Sequence, residues 1–388
     1  MNLLQTDRLE NKFLRWYCWP SDGHRPLLRH LRRYCVLSLS FSLSARGVRY
    51  SIGRSLRLAS GPAVCLAGGL FLLILSPVYA YSPGVGSANF LKIPVGARES
   101  ALGGAFTAVA DNANAVYYNP AGLSLLKKPE VSFTYNEYFE GVSQQWLAAA
   151  YPYKSGAFGL GVNYLSVSAF DAYDNDDKPT GSVSAYDMAI YLSWGGRLPL
   201  DYKVFRSVSY GASVKYISGK LDTEKGAGYG LDLGFLATSA VENLGFGFNV
   251  ENAVSAKIKF IEEGARPPLR FKTGAVYKTS SSVAQIAARL TLDYVFENDR
   301  PGYMAAGMES LFHDAFAVRM GYSAFGNISN GMNFGLGFDL SKYTGRNISV
   351  DYSYGATNAF GDIHKLSVTY KFGPRRPAPA ARPALNSY

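Results

Sequence analysis

From about residue 130 onward, large apolar side chains alternate with small or polar ones. Phe158, Leu160 and Val162, for example, are interleaved with Gly159 and Gly161. Successive side chains of a β-strand point to opposite faces, so this alternation predicts strands with one apolar face and one small or polar face.

Fourteen such runs are found, each about nine to thirteen residues long, the length that a tilted strand needs to cross a bilayer. They lie near 130–138, 144–153, 156–168, 185–195, 206–218, 228–238, 244–254, 268–278, 286–297, 302–310, 315–323, 332–341, 346–355 and 363–372. Because 144–153 and 302–310 alternate weakly, a count of twelve stays open. The predicted fold class is all-β: a transmembrane antiparallel β-barrel over residues 130–372.

The two faces of these strands differ in chemistry, and this difference predicts their surroundings. The aromatic face suits lipid, whereas the charged positions on the other face must line the lumen. The predicted lumen residues are Lys215, Asp232, Glu251, Lys272, Arg289, Asp293, Arg319, Asp339 and Asp351.

Predicted connection lengths alternate, as expected for short periplasmic turns and longer outer loops. The short ones are 154–155, 239–243, 311–314 and 342–345, and the longer ones are 169–184, 219–227, 255–267 and 324–331. The connection 196–205 breaks this alternation.

Composition changes the picture mainly by separating the first eighty residues from the rest. The chain has a net charge of +10, but residues 1–80 carry 11 basic and 3 acidic side chains, which leaves 28 basic and 26 acidic ones beyond them. This near-neutral remainder argues against nucleic acid as a partner. Cys18, Cys35 and Cys65 also precede residue 81, so the later part has neither a disulfide framework nor a cysteine metal site.

Residues 54–80 have the organisation of a signal peptide, with cleavage expected after Ala80. Arg54 and Arg57 precede an apolar stretch, and small residues stand at the cleavage positions of Val78-Tyr79-Ala80. An uncleaved anchor helix is the alternative, disfavoured because the apolar stretch is short. Residues 1–53 form an Arg-rich leader in front of a complete signal peptide, so we hypothesise that they are not translated.

Several residues invite a chemical interpretation that the pattern does not favour. The glycine pairs beginning at Gly159, Gly245 and Gly335 lack the third glycine of a dinucleotide fingerprint, and are interpreted as lumen-facing strand glycines. The aspartates within 171–177 match no calcium loop and are interpreted as a solvated loop, with divalent bridging to lipopolysaccharide as the alternative. No cofactor or metal is therefore expected.

Aromatic and histidine residues also have competing interpretations. His313 and His364 are the histidines after residue 80, so a lipid hydrolase would have to use one of them. We expect no enzymatic activity and keep the hydrolase as a minor alternative. Trp146 and Trp194 are assigned to aromatic girdles at the membrane interface in preference to a ligand-stacking surface.

Residues 81–129, which lie before the first strand, lack the alternating pattern of the strands and are called the plug segment. It is rich in small residues, and the spacing of Leu102, Phe106 and Val109 predicts a short helix near 99–110 that packs inside the barrel. Asn119-Pro120 then predicts a turn before the chain enters the wall.

Here the sequence resembles the PorV/PorQ family, relatives of the FadL-type fatty-acid and hydrocarbon transporters. The resemblance is carried by Gly96-Ala97-Arg98, by 102–106, by 110–115 and by 119–123, and the strand series extends it. It implies a fourteen-strand barrel whose N-terminal segment folds back as a hatch. The residues assigned to that hatch are Arg98, Leu102, Gly103, Gly104, Phe106, Asp111, Asn112, Asn119, Pro120 and Gly122.

The resemblance implies an outer-membrane protein that either admits hydrophobic molecules or serves type IX secretion as a shuttle for exported proteins. A non-transporting scaffold is the alternative. Tyr370 and Phe372 resemble the C-terminal signal read by the barrel-assembly machinery, although a Pro- and Ala-rich tail, residues 373–388, follows them. This tail is expected in the periplasm. The expected partners are lipid, lipopolysaccharide, the assembly machinery, and a hydrophobic ligand or a protein cargo.

Overall fold

The computed structural model describes residues 86–373, apart from 139–140, 175, 199–203, 242, 261–263, 282–284, 325–328 and 358–360. The predicted leader (1–53) and signal peptide (54–80), and all of the tail except Gly373, lie outside the described residues. Among the described residues, no helix is both long enough and apolar enough to cross a membrane.

Fourteen antiparallel strands form a closed barrel, and two short strands form a separate hairpin. The strands are β1 (Glu130–Glu137), β2 (Val142–Tyr153), β3 (Gly156–Tyr173), β4 (Pro179–Leu198), β5 (Phe205–Leu221), β6 (Glu224–Ser239), β7 (Leu244–Ser255), β8 (Ile258–Lys259), β9 (Gly264–Ala265), β10 (Arg270–Ser281), β11 (Ile286–Glu297), β12 (Arg300–Phe312), β13 (Phe316–Ser323), β14 (Ser329–Asp339), β15 (Ile348–Thr357) and β16 (Ile363–Lys371). The predicted fold class and the count of fourteen are confirmed; the weakly alternating runs are β2 and β12.

The barrel strands pair in the order in which they occur along the chain. Since β8 and β9 lie outside the barrel, β7 pairs directly with β10. The barrel closes where β1 meets β16, in a register that joins Glu130 to Lys371 and Glu137 to His364. The end at which β1 begins and β16 ends is called the proximal mouth. The opposite end, which carries the turn 222–223 between β5 and β6, is called the distal mouth.

Two predicted connections were wrong because the strands continue further than the apolar pattern does. Residues 219–227 contain only the two-residue turn 222–223, and most of 169–184 belongs to β3 and β4. The connection predicted at 196–205, which broke the alternation of loop lengths, is also shorter than predicted, since β4 extends to Leu198 and β5 begins at Phe205. Backbone pairing maintains a strand after the side chains have stopped alternating.

Alternation of burial along the strands confirms the predicted faces. Leu192 is 64% exposed on the outer surface, whereas the next residue, Ser193, is 2% exposed in the lumen. Phe133, Phe158 and Phe235 are likewise exposed. This outer face carries an apolar surface of the kind that lipid covers in a transmembrane barrel.

Short helices and irregular chain make up the plug segment inside the lumen. It contains 3-10 helices at Asn89–Lys92 and Pro120–Leu125 and α-helices at Ala97–Ala101 and Ala115–Tyr118. One further α-helix, Ser341–Thr344, connects β14 to β15.

The single helix predicted near 99–110 was wrong. The helix ends at Ala101, and the chain then passes through Gly103 at φ +67° and Gly104 at φ +79°, a conformation that a right-handed helix cannot contain. The three apolar residues at helical spacing are nevertheless all buried.

Candidate functional site

The lumen holds the hydrophobic core of the protein, and the plug segment supplies most of it. Phe106, Tyr117 and Tyr118 are buried against Trp146 of β2 and Tyr191 of β4. Their rings meet edge to face, with centroids 4.9 Å apart for Tyr117 and Tyr118 and 5.7 Å apart for Trp146 and Tyr191. Such contacts stabilise aromatic clusters beyond the burial of their area.

Trp146 was wrongly assigned to an interface girdle. It is 1% exposed in the lumen, and its Nε1 donates to Asn114 Oδ1 at 2.8 Å. Trp146 has the parity of β2 residues that point inward, such as Ala148 and Ala150. Trp194, in contrast, contacts Tyr210 through a ring pair with centroids 5.3 Å apart.

A ring of lumen glycines, which we call the glycine belt, makes room for the plug segment. A Cβ added to any of them would lie within 3.2 Å of a plug atom; a Cβ on Gly247, for instance, would lie 2.3 Å from Thr107 O. The belt consists of Gly159, Gly161, Gly195, Gly211, Gly234, Gly247, Gly274, Gly307, Gly321 and Gly335, on nine strands. Gly159, Gly161, Gly247 and Gly335, whose spacing resembled a nucleotide motif, therefore have a packing role.

The predicted turn at Asn119-Pro120 is confirmed, and Asn119 fastens it to the barrel wall. Its side-chain Oδ1 accepts from Ala121 N at 3.2 Å, while Nδ2 donates to Thr107 O at 2.9 Å and to Phe235 O of β6 at 3.1 Å. Pro120 occupies the first position of a 3-10 helix. One amide thus joins two parts of the plug segment to a strand.

Other hatch residues contribute to packing, either by being buried or by having no side chain where two parts of the chain meet. Leu102 and Phe106 are fully buried. A Cβ on Gly122 would lie 2.0 Å from Ala110 O, so only glycine allows these two parts of the plug segment to meet. The hatch residues are therefore brought together in one packed unit.

Arg98 is the centre of an ionic network that joins the plug segment to four strands. Its guanidinium binds both carboxylate oxygens of Glu309 on β12, at 2.9 and 3.0 Å, and also binds Asp111 Oδ1 at 2.7 Å. Arg289 of β11 bridges the same two acids, at 2.9 Å to Asp111 and 3.0 Å to Glu309. Bidentate arginine–carboxylate pairs of this kind fix orientation as well as adding energy.

The network extends along the wall from Glu309. Arg319 of β13 donates to Glu309 at 2.8 Å and to Asp351 of β15 at 2.7 Å. Three arginines thereby balance three carboxylates. We call this the Arg98 network.

Burial opposes ionisation of Asp111, but the neighbouring guanidinium groups of Arg98 and Arg289 outweigh it. They hold the pKa of the Asp111 carboxyl well below its usual range. Asp111 therefore stays ionised at neutral pH.

A second ionic network lies near the distal mouth. Arg270 of β10 binds Glu251 at 2.7 Å and Glu297 at 2.8 Å, and it also donates to the plug backbone at Leu91 O, at 3.3 Å. Lys272 also pairs with Glu251. The plug segment is thus held to charged wall residues at two separate levels.

Other predicted lumen residues contact the plug segment or one another. Asp232 pairs with Lys215 at 2.8 Å, where β7 bulges against β6. Asp293 accepts from Thr107 N at 2.9 Å. Asp339 has the inward parity but ends β14 and accepts from Ser341 N in the adjoining turn, so the structure does not bring it to the plug.

Glu99 is a buried acid in the plug segment that sequence reasoning missed. Its Oε1 accepts from Asn112 Nδ2 at 2.6 Å and Asn114 Nδ2 at 3.0 Å, whereas its Oε2 has no hydrogen-bond partner among the described residues. Burial raises the pKa of Glu99, against the opposing effects of Arg98 and the two amides.

Glu309, Arg270 and Lys365 are further charged wall residues that bind the plug segment and that the sequence alone did not identify. Glu309 lies in the weakly alternating β12, and Arg270 is the first residue of β10. Lys365 donates to Ser100 Oγ at 3.0 Å and to Pro94 O. Extending the parity rule to the strand ends would have found them.

A cavity of about 530 Å³ opens beside the plug segment, towards the distal mouth. Leu165 and Val167 of β3 form one wall, and Phe90 and Ile93 of the plug segment form another. Phe260, from the connection between β8 and β9, also lines it.

The mouth hairpin, formed by β8 and β9, is attached to the plug segment. Ser87 N donates to Arg266 O at 3.1 Å and Ser87 Oγ to Ala265 O at 2.9 Å. Ile258 of this hairpin is 4% exposed, and a Cβ on Gly226 would lie 2.9 Å from it. The first residues of the plug segment and the hairpin thus border the cavity together.

The predicted assembly signal lies on the outer surface at the proximal mouth. The Tyr370 and Phe372 rings meet at a centroid distance of 4.7 Å and are 38% and 45% exposed. Phe372 N donates to Pro129 O at 2.8 Å.

Comparison with known proteins identifies the fold and a family model for part of the chain. Residues 83–230, which include most of the plug segment and β1 to β5, match the model described as an uncharacterised protein family, UPF0164. No curated protein sequence matches the chain.

Solved structures with this architecture include the toluene transporter TbuX of Ralstonia pickettii, with a TM-score of 0.51 and 11% sequence identity. That match covers 72% of this chain and 98% of TbuX. The monoaromatic hydrocarbon channel CymD matches with a TM-score of 0.49 and 12% identity, over 72% of this chain and 97% of CymD. A FadL homologue from Pseudomonas aeruginosa matches with a TM-score of 0.41 and 11% identity, over 76% of this chain and all of that structure. The barrel thus shares its fold with a transporter.

Proposed function

We propose that this protein is an outer-membrane barrel that carries small hydrophobic molecules from the distal mouth, which faces the exterior, past the plug segment. The observation that carries the proposal is the cavity between the barrel wall and the plug segment, because apolar residues such as Leu165, Val167 and Phe260 line it. Apolar pockets with a few polar groups are typical of small-molecule sites. The fold shared with a toluene transporter supports the same class of cargo.

The test is to fill the cavity. The variant Val167→Trp places an indole in the space, so uptake of naphthalene by cells carrying the protein should fall severalfold. The matched control is Val214→Trp, since Val214 is 56% exposed on the outer face and remote from the lumen. If Val167→Trp transports like the wild type, or if the wild type transports no better than cells lacking it, the proposal is wrong.

Transport requires the plug segment to shift, and a disulfide can prevent this. Ser124 Oγ donates to Ser209 Oγ of β5 at 2.8 Å, so cysteines at both positions are close enough to be joined. Residues 81–388 contain no cysteine of their own. We expect oxidised Ser124→Cys/Ser209→Cys protein to lose uptake and to regain it on reduction.

A second candidate function is a barrel with a permanently seated plug that carries or anchors exported proteins, such as a type IX shuttle. The glycine belt favours it, because the plug segment packs against nine strands. Uptake that is absent in the wild type, together with loss of surface-exposed proteins on deletion of the gene, would favour this candidate over transport.

We also propose that the protein has no hydrolase activity. The Nδ1 of His364 shares a hydrogen bond of 2.7 Å with Tyr352 Oη on the outer face, and its ring also contacts Tyr354. A catalytic histidine needs a nucleophile within hydrogen-bond reach, and here its partner is a phenol. Lipid hydrolysis by the wild type that His364→Ala abolishes would contradict this proposal.

A further inference from the structure

Most charged side chains of the lumen are neutralised by a partner, but one that faces the cavity is not. Asp187 of β4 pairs across the ladder with Gly219 of β5, on the inward parity shared with Ala189 and Tyr191. Its carboxylate makes no hydrogen bond or ion pair with any part of the chain that the structure describes. A half-buried carboxylate without a counter-charge, in an apolar cavity, can bind a positively charged group.

Because Gly219 has no side chain, the Asp187 carboxylate and an aromatic ring both approach it and lie close to one another. A Cβ on Gly219 would lie 2.5 Å from Asp187 Oδ1 and 2.9 Å from Phe260 Cζ. Carboxylates and aromatic rings both attract cations, the first by charge-assisted hydrogen bonds and the second through the negative face of the ring.

Lys220 also borders the cavity but does not neutralise Asp187. It pairs with Tyr186, which places it on the opposite parity of the sheet, and it forms no ion pair with Asp187 in the described structure. The positive charge is therefore left for a ligand to supply.

We propose that the cavity selects hydrophobic molecules that carry a protonated amine, with the amine bound by Asp187 beside Phe260 and the apolar body lying against Leu165 and Val167. This inference rests on the proposed function, because it names the class of molecule that the same cavity takes. A carboxylate of equal size would meet Asp187 with the same charge, and a neutral molecule would leave Asp187 uncompensated.

Three probes of the same size separate these possibilities: 1-naphthylmethylamine, 1-naphthylmethanol and 1-naphthoate. Binding to the purified protein in detergent is measured by equilibrium dialysis. The amine should bind roughly tenfold more tightly than the alcohol, as one charge-assisted hydrogen bond allows, and the carboxylate most weakly. Asp187→Asn should bring the amine to the affinity of the alcohol and leave the alcohol unchanged.

The matched control is Asp339→Asn, because Asp339 has inward parity but lies at the end of β14, at the proximal mouth. It should keep the preference of the wild type for the amine. The inference is overturned if naphthoate binds as well as the amine, or if Asp187→Asn binds the amine as the wild type does.

The outcome is distinguishable from failure of the proposed function. Naphthalene uptake that Val167→Trp reduces, without any preference for the amine, would refute the inference and leave transport intact. Amine binding that depends on Asp187, without uptake of any probe, would refute transport and leave the binding site.

Discussion

Two regions of the lumen are built in opposite ways. From Ala97 to Leu123 the plug segment touches the wall through the glycine belt, the aromatic cluster and the Arg98 network, with little space between them. Towards the distal mouth, its first residues border a cavity and are joined to the two-stranded mouth hairpin. Residues 97–123 are therefore part of the folded core, whereas we expect the distal mouth to be a local structure that can open while the barrel stays folded.

The largest effect should come from closing the glycine belt. In Gly321→Val, a Cβ would lie 2.2 Å from Gly103 N, so the plug backbone must move. We expect a destabilisation above about 3 kcal/mol and loss of the fast-migrating folded form in unheated gel electrophoresis. Gly245→Val is the control, because its nearest neighbour would be a Val276 side-chain atom at 3.0 Å. Equal stability of the two variants would contradict tight seating of the plug.

The next effect should come from Arg98→Ala, which removes one of the three arginines of the Arg98 network. Buried Glu309 and half-buried Asp111 would lose part of their compensating charge, at a cost of about 2–3 kcal/mol in denaturant unfolding. Arg346→Ala, in an exposed turn, should change stability by less than about 0.5 kcal/mol. A neutral Arg98→Ala would show that the plug segment is held by packing alone.

A smaller effect, dependent on pH, should come from Glu99→Gln. The pKa of folded Glu99 is raised, so folding becomes less favourable as pH rises above its ordinary value near 4.5, where the unfolded chain ionises first. The glutamine variant lacks this loss. Its melting temperature relative to the wild type should therefore increase between pH 4 and pH 8, and a difference that does not vary with pH would contradict a buried acid here.

The smallest global effect should come from Ile258→Ala in the mouth hairpin. Ile258 is buried, but its partners belong to a local structure, so hydrogen exchange of β8 and β9 should quicken while the barrel melts within about 2 °C of the wild type. Destabilisation as large as that of Gly321→Val would show that the two regions unfold together.

The sequence predicted the barrel well because alternation is a local property that every strand displays. The inward charges such as Lys215 and Asp232 were identifiable from parity, but their pairing depends on register between strands and was not. The plug segment was harder, since Leu102 and Phe106 are buried at helical spacing while the chain between them turns through two left-handed glycines. Buried contacts from many strands, and no local periodicity, determine its path.

Asp187 is another residue whose surroundings could not be predicted from the sequence. Its inward parity can be read from the sequence, but its missing partner and its place in the cavity appear only when β3, β4, β5 and the mouth hairpin are brought together.

The last strand of the barrel, β16, binds residues near the start of the plug segment. Ser367 of β16 accepts from Ala97 N at 2.8 Å, and Lys365 binds Pro94 O and Ser100 Oγ, across more than 260 residues of sequence. Both Lys365 and Ser367 lie in β16, the strand that pairs with β1 to close the barrel. A barrel closed around an empty lumen would leave Lys365 without these acceptors. The seam between β1 and β16 is therefore most stable when the plug segment occupies the interior.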